Sequence, residues 1–158
     1  MKTVLTIAGS DCSGGAGIQG DLKTITAHGI HALSVITAVT AQNSQEVLDI
    51  FPVENVAQQL YALAEDITIH AIKIGMLYTL NNVNVVVTFL RSYALPKEIP
   101  VVFDPLVYAS TGKKLVNDDA MFAMINELMP LCTLVTPNLH EAAFLTGTSL
   151  TTCLLYTS

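Results

Sequence analysis

The chain has 158 residues, 51% of them hydrophobic and 13% charged, with a net charge of −6. That length suffices for one domain with a real core, and the acidic balance, with a pI near 4.9, argues against nucleic acid or an anionic membrane surface as partner. Mean hydropathy is high at +0.53, yet no unbroken apolar run nears the roughly 18 residues of a membrane span; strands buried on both faces account for the excess.

In chain order, apolar runs alternate with helical patterns. Residues 3–8 read as a strand and 17–27 as a helix closed by Gly29. Residues 32–40 form a strand and 47–51 a short one. Val56, Leu60, Leu63 and Ile67 mark one helix face. Residues 71–75 are a strand, and Val83, Val86, Val87 and Leu90 mark another helix. Pro96 and Pro100 frame a loop before a buried strand at 101–104. Asn117 caps a helix carrying Met121, Ile125 and Leu128. A strand at 131–136 follows, and Asn138 opens a last helix that ends near Gly147. This alternation predicts a mostly parallel sheet with helices on both faces, an α/β fold whose ligands bind at the carboxyl ends of the strands. The glycine loop, Gln42, Met76, Asp104 and Asn138 all follow strand ends, so they are expected to converge on one edge.

The first strand runs into a glycine-rich stretch from Gly9, with Gly14, Gly15, Gly17 and Gly20. Strand, turn and helix N-terminus make a place where exposed N–H groups can meet an anion or a polar ring. Gly15, Gly17 and Gly20 satisfy G-x-G-x-x-G literally, but six residues separate Ala8 from Gly15 and the second strand ends without a carboxylate for a ribose. A dinucleotide fingerprint needs both features differently placed. No G-x-x-x-x-G-K-[S/T] loop is present. Cys12, Cys132 and Cys153 are widely spaced and form no C-x-x-C, which fits a reduced cytoplasm without structural disulfide or zinc. The N-terminal apolar run stops at Gly9 and reads as no signal peptide. His28, His31, His70 and His140 lack metal-ligand spacing.

Five blocks together carry a resemblance. They are residues 9–24, Ser34-Val35-Ile36-Thr37-Ala38 with Ala41-Gln42-Asn43, Lys73-Ile74-Gly75-Met76-Leu77, Asp104-Pro105, and Thr136-Pro137-Asn138 with Glu141-Ala142. In order and spacing they resemble the hydroxymethylpyrimidine/phosphomethylpyrimidine kinases of thiamine biosynthesis, in the ribokinase-like superfamily. The resemblance implies a ribokinase-like fold and transfer of the ATP γ-phosphoryl group, with Mg²⁺, to 4-amino-5-hydroxymethyl-2-methylpyrimidine and its monophosphate. A pyridoxal kinase of the same superfamily shares much of the pattern, and a binding fragment without turnover is a third reading. A homo-oligomer stays open for a full-length chain.

The resemblance places Gly9, Asp21, Gln42 and Met76 on the substrate side, and Asn138, Glu141 and Asp104 near metal and phosphate. Gln42 is a neutral amide that both donates and accepts, matching an aminopyrimidine edge; a polarizable Met76 thioether suits an aromatic face. Asn138 and Glu141 also form a near relative of the capping box, and Asp21 alone reads as an acid near a helix N-terminus. After Asp104-Pro105 the family's Ser-Gly pair is replaced by Thr111-Gly112. The resemblance puts the catalytic base and its anion hole in a later segment that this sequence lacks, so neither role passes to Cys12. The last six residues, Cys-Leu-Leu-Tyr-Thr-Ser, can be encoded by TGTCTCTTATACACATCT, a transposon end used as a sequencing adapter. Residues 1–152 are therefore expected to be the N-terminal part of a single kinase domain, and 153–158 a non-native tail.

Overall fold

A computed structural model describes residues 1–43, 45–108 and 115–148. Thr111-Gly112 and the tail 153–158 singled out in the sequence lie outside the described residues. The chain runs β1 (Thr3–Asp11), α1 (Gly17–Ala27), β2 (His31–Gln42), β3 (Val47–Pro52), α2 (Val56–Asp66), β4 (Ala71–Ile74), α3 (Leu80–Phe89), β5 (Val101–Phe103), α4 (Asp118–Ala123), β6 (Leu134–Val135) and α5 (Leu139–Thr146). The sheet order is β3-β2-β1-β4-β5-β6. All neighbours pair parallel except β3, which returns antiparallel along β2. The expected α/β arrangement with a mostly parallel sheet is what the chain forms.

Alternation along the strands assigns the two faces. Leu5, Ile7, Val35, Ile72 and Ile74 join Val56 and Leu60 of α2, Val83 and Val86 of α3 and Leu128 in one buried cluster. The intervening Thr6 and Lys73 are register partners on β1 and β4 and therefore face the other side, where α1 packs on β1 and β2. Leu60 is fully buried, and truncating such a side chain to Ala costs about 2–5 kcal/mol. The α1 face is the polar one, and it carries the site.

Element ends differ from the sequence pattern in instructive ways. β1 and β2 extend to Asp11 and Gln42, so Gln42 is the last residue of a strand and not a loop residue. The register slips between Ala8 and Ser10, at Gly9. Pro96 frames no loop: α3 continues through a π-turn (Leu90–Ala94) into a 3₁₀ turn (Leu95–Lys97), with the proline near its start, where a missing N–H is tolerated. Asn117 does cap α4, its Oδ1 accepting from the Ala120 N–H at 2.8 Å. Ile125 and Leu128 then ride on a second π-turn, and Leu131 closes a 3₁₀ turn. β6 is accordingly two residues long instead of spanning 131–136, and among the described residues it pairs with β5. Among the described residues no helix is long and apolar enough to cross a membrane.

Candidate functional site

A cavity of about 520 Å³ opens at the carboxyl ends of β1, β2, β4 and β5. Gly9, Asp21, Gln42, Met76 and Asp104 all line it, and so does Lys73. The topology explains the convergence, because Gly9 and Lys73 lie in the last residues of β1 and β4, Gln42 ends β2, Met76 and Asp104 follow β4 and β5, and Asp21 sits in the first turns of α1.

The glycine-rich turn is not an open anion cradle. The Asp11 carboxylate fills it, accepting from the N–H of Ser13 (2.8 Å), Gly15 (3.1 Å) and Ala16 (2.8 Å) and from the Ser13 hydroxyl (2.7 Å). Burial pushes the Asp11 carboxyl up, but hydrogen bonds from the side chains of Ser13 and Gln42 and from the Ala16 and Ser13 backbone outweigh it and hold it at about 2. Ala16, at the N-cap of α1, has no capping side chain of its own; the Asp11 carboxylate supplies the charge that the helix N-terminus favours.

Asp21, one turn into α1, reaches the polar face of the sheet. Its Oδ2 accepts from the Thr6 hydroxyl at 2.5 Å and from Lys73 Nζ at 2.8 Å. Among the described residues both bonds fall on Oδ2, which leaves Oδ1 its accepting capacity. The Lys73 stem lies over Gly75, where a Cβ would come within 3.1 Å of Nζ.

Gln42 is half-buried, and Cys12 fixes its main chain. The Cys12 thiol donates to the Gln42 carbonyl at 3.1 Å and accepts from the Gln42 N–H at 3.4 Å. Met76 is buried at 8% exposure and its methyl abuts Gly9, where a Cβ would lie 2.4 Å from Cε. The Thr37 hydroxyl donates to the Met76 carbonyl at 2.5 Å, and Asn82 Nδ2 donates to the carbonyls of Thr37 and Leu77, each at 3.0 Å. The turn carrying Met76 is thus tied to β2 and α3, and it includes Tyr78 at a φ of 67°, an uncommon conformation for a bulky residue.

Asp104 follows β5, its N–H bonded to the Ile74 carbonyl at 2.9 Å. Burial raises its carboxyl above the ordinary range; Lys73 pulls it back, while Glu141 and Asp21 push it further up. Asn138 and Glu141 do not line the cavity. They form a complete capping box at the start of α5: Glu141 N–H donates to Asn138 Oδ1, and Asn138 N–H to Glu141 Oε2, both at 2.9 Å. Glu141 is 2% exposed, and its Oε1 takes the Val107 N–H at 3.4 Å. Both of its oxygens are therefore engaged within the fold. Sequence reasoning did not single out Asp11, Thr6 or Lys73. For Lys73 a signal existed, since a lysine in an otherwise buried strand needs an anionic partner.

Residues 11–154 match the family model described as phosphomethylpyrimidine kinase. The hydroxymethylpyrimidine/phosphomethylpyrimidine kinase of Rhizobium meliloti is 45% identical over 145 residues, which is 90% of this chain and 53% of that protein. The chain spans about half the length of the curated relatives it matches. Among solved structures, phosphomethylpyrimidine kinase from Clostridium difficile aligns with a TM-score of 0.87 at 40% identity, over 97% of this chain and 66% of that one. The pyridoxal kinase from Staphylococcus aureus in complex with AMP-PCP and pyridoxal aligns with a TM-score of 0.81 at 33% identity, over 98% of this chain and 55% of that one.

Proposed function

The chain belongs to the phosphomethylpyrimidine kinase family, and from that premise we propose that the protein transfers the γ-phosphoryl group of ATP to the hydroxymethyl of 4-amino-5-hydroxymethyl-2-methylpyrimidine. Its second proposed substrate is the resulting monophosphate, taken to the diphosphate for thiamine biosynthesis in the cytoplasm. The observation that carries this reading is the cavity wall. It combines the Gly9 backbone and Met76 thioether with the Gln42 amide and the carboxylates of Asp21 and Asp104. That set suits a small flat ring with a polar edge and a hydroxyl. Gly9 leaves room against Met76, Met76 packs on the ring, Gln42 meets the amino and ring nitrogens, and Asp21 Oδ1 accepts from the hydroxyl.

Mg²⁺ in nucleotide sites is held by one or two carboxylates together with substrate phosphates and water. The described residues contain no cluster of three or more metal-ligating side chains; of the carboxylates lining the cavity, Asp104 is the one that would hold the ion, since Asp11 is bound into the glycine turn and Asp21 faces Lys73. When bound, the ion neutralises phosphate charge. Asn138 and Glu141 serve that side through the capping box, by fixing the N-terminus of α5. No cavity residue is assigned as the base; what these side chains supply is positioning.

A second reading, pyridoxal kinase, is favoured by the alignment with the Staphylococcus aureus enzyme. The test is ADP release by the full-length protein with ATP, Mg²⁺ and either the aminopyrimidine alcohol or pyridoxal. Turnover of the aminopyrimidine with the higher kcat/KM is expected. Turnover of pyridoxal alone overturns the proposal.

A further inference from the structure

The charge balance of the cavity points to a substrate-selecting role for Lys73. Among the described residues lining the cavity, Lys73 is the cation, and three carboxylates, Asp11, Asp21 and Asp104, line it as well. Asp11 is committed to the glycine turn. Asp21 and Asp104 remain, so a neutral alcohol enters without conflict. A phosphate monoester carries a charge of about −1.5 to −2 at neutral pH, and two facing carboxylates repel it.

Lys73 is placed to offset that repulsion. Its Nζ lies 2.8 Å from Asp21 Oδ2, and its side chain is 27% exposed. The ammonium has three donors, and the described partner uses one. The stem is flexible and the charge compact, and the bare Gly75 leaves it room to swing, a Cβ there being only 3.1 Å from Nζ. Asp21 does not depend on the lysine alone, because the Thr6 hydroxyl bonds the same oxygen at 2.5 Å. A partly exposed ion pair adds little to stability, so fold stability is a weak reason for a lysine at this strand position.

We propose that Lys73 is the residue that admits the charged substrate, turning its ammonium from Asp21 to the phosphate of the pyrimidine monophosphate. This rests on the reading above that one site takes both the alcohol and its monophosphate. In the step served, a phosphate oxygen of the monophosphate forms the new bond to the γ-phosphorus of ATP. The bond from that phosphorus to the bridging oxygen breaks, and ADP leaves with the electron pair. Lys73 neutralises the acceptor phosphate and transfers nothing.

The experiment measures kcat/KM of the full-length protein for the alcohol and for the monophosphate, at saturating ATP, in the wild type and in Lys73→Met, Lys73→Arg and Asp21→Asn. The quantity read is the ratio of monophosphate to alcohol. A hydrogen bond to a charged group is strong enough that Lys73→Met should lower the ratio at least about tenfold, through the KM of the monophosphate. Lys73→Arg keeps the charge and should recover most of it. Asp21→Asn removes a competing anion and should move the ratio the other way. If Lys73→Met lowers both substrates in parallel, or Lys73→Arg and Lys73→Met behave alike, the inference is overturned and the lysine only holds Asp21. A wild type that phosphorylates neither pyrimidine overturns the functional reading itself; one that turns over the alcohol while the ratio stays fixed across all variants overturns this inference alone.

Discussion

Gly17 and Gly9 meet where the first strand gives way to the first helix: a Cβ placed on Gly17 would lie 2.4 Å from the Gly9 carbonyl oxygen. Gly17 also holds a φ of 54°, which side chains rarely adopt. The close approach brings α1 down onto the end of β1 and sets the height of Asp21 above the sheet. Gly17→Ala meets both obstacles and the atom in the way is backbone, so relief by a rotamer change is closed. The substitution should cost about 2–4 kcal/mol, combining an unfavourable φ with a steric shift. A urea midpoint within error of the wild type refutes it.

Acid should expose the role of Asp11. Its carboxyl is held at about 2 in the folded chain, against an ordinary 3.8. A depressed carboxylate contributes stability that is present above the unfolded value and lost as pH falls toward the folded one. The window is therefore about pH 4 down to pH 2, and the contribution is about 2 kcal/mol at 1.36 kcal/mol per unit. Asp11→Asn removes the charge and replaces one of the two accepting oxygens with a donor. It should be less stable than the wild type at pH 7, and the gap should shrink as both are brought to pH 2. A gap that stays constant across that range in urea titrations contradicts the assignment.

Much of this was legible in the chain. The apolar periodicity of Val56, Leu60 and Leu63, the Asn117 and Asn138 caps and the positions of Met76 and Asp104 after strand ends were all readable, because they depend on local rules. What was not legible depends on partners distant in sequence. Asp11 reads as a turn residue until its strand is seen to extend and its carboxylate to fold back onto Ala16. Lys73 acquires meaning only when β4 pairs with β1 and sets it beside Thr6 under α1. The π-turns after Phe89 and Ala123 have no pattern of their own, since each adds one residue to one helical turn and no residue type marks that insertion. The two-residue β6 fell short of its apolar run because the helical turn before it ends only at Leu131.

Asp104 should trade stability for activity. Its carboxyl is raised by burial, with Lys73 pulling the other way. A raised carboxyl contributes stability below its unfolded value and loses it as pH rises through the folded one, so the ionised group weakens the fold at neutral pH. Asp104→Asn is expected to raise Tm at pH 7, and the gain should disappear below pH 4. Turnover of the full-length protein should fall about 10²-fold, the scale of losing one preorganised charge-stabilising group. A lower Tm at neutral pH would show that Asp104 serves the fold first.

Gln42 offers the sharpest test of substrate recognition. It ends β2 with its backbone fixed by Cys12 on both sides, at 3.1 and 3.4 Å, so its side-chain amide leaves from an anchored point at the cavity. Gln42→Leu keeps the size and removes the donor and acceptor. An aminopyrimidine edge left unpaired in the closed site should weaken binding by about 1–3 kcal/mol, or roughly five- to a hundredfold in Kd. Because the Gln42 amide also helps to hold the Asp11 carboxyl down, the same variant should flatten the acid dependence of stability between pH 4 and pH 2. Calorimetric titration with the aminopyrimidine and urea melts at the two pH values measure the effects separately. Unchanged pyrimidine affinity, with the acid dependence flattened, would confine Gln42 to the support of Asp11 and remove it from the substrate wall.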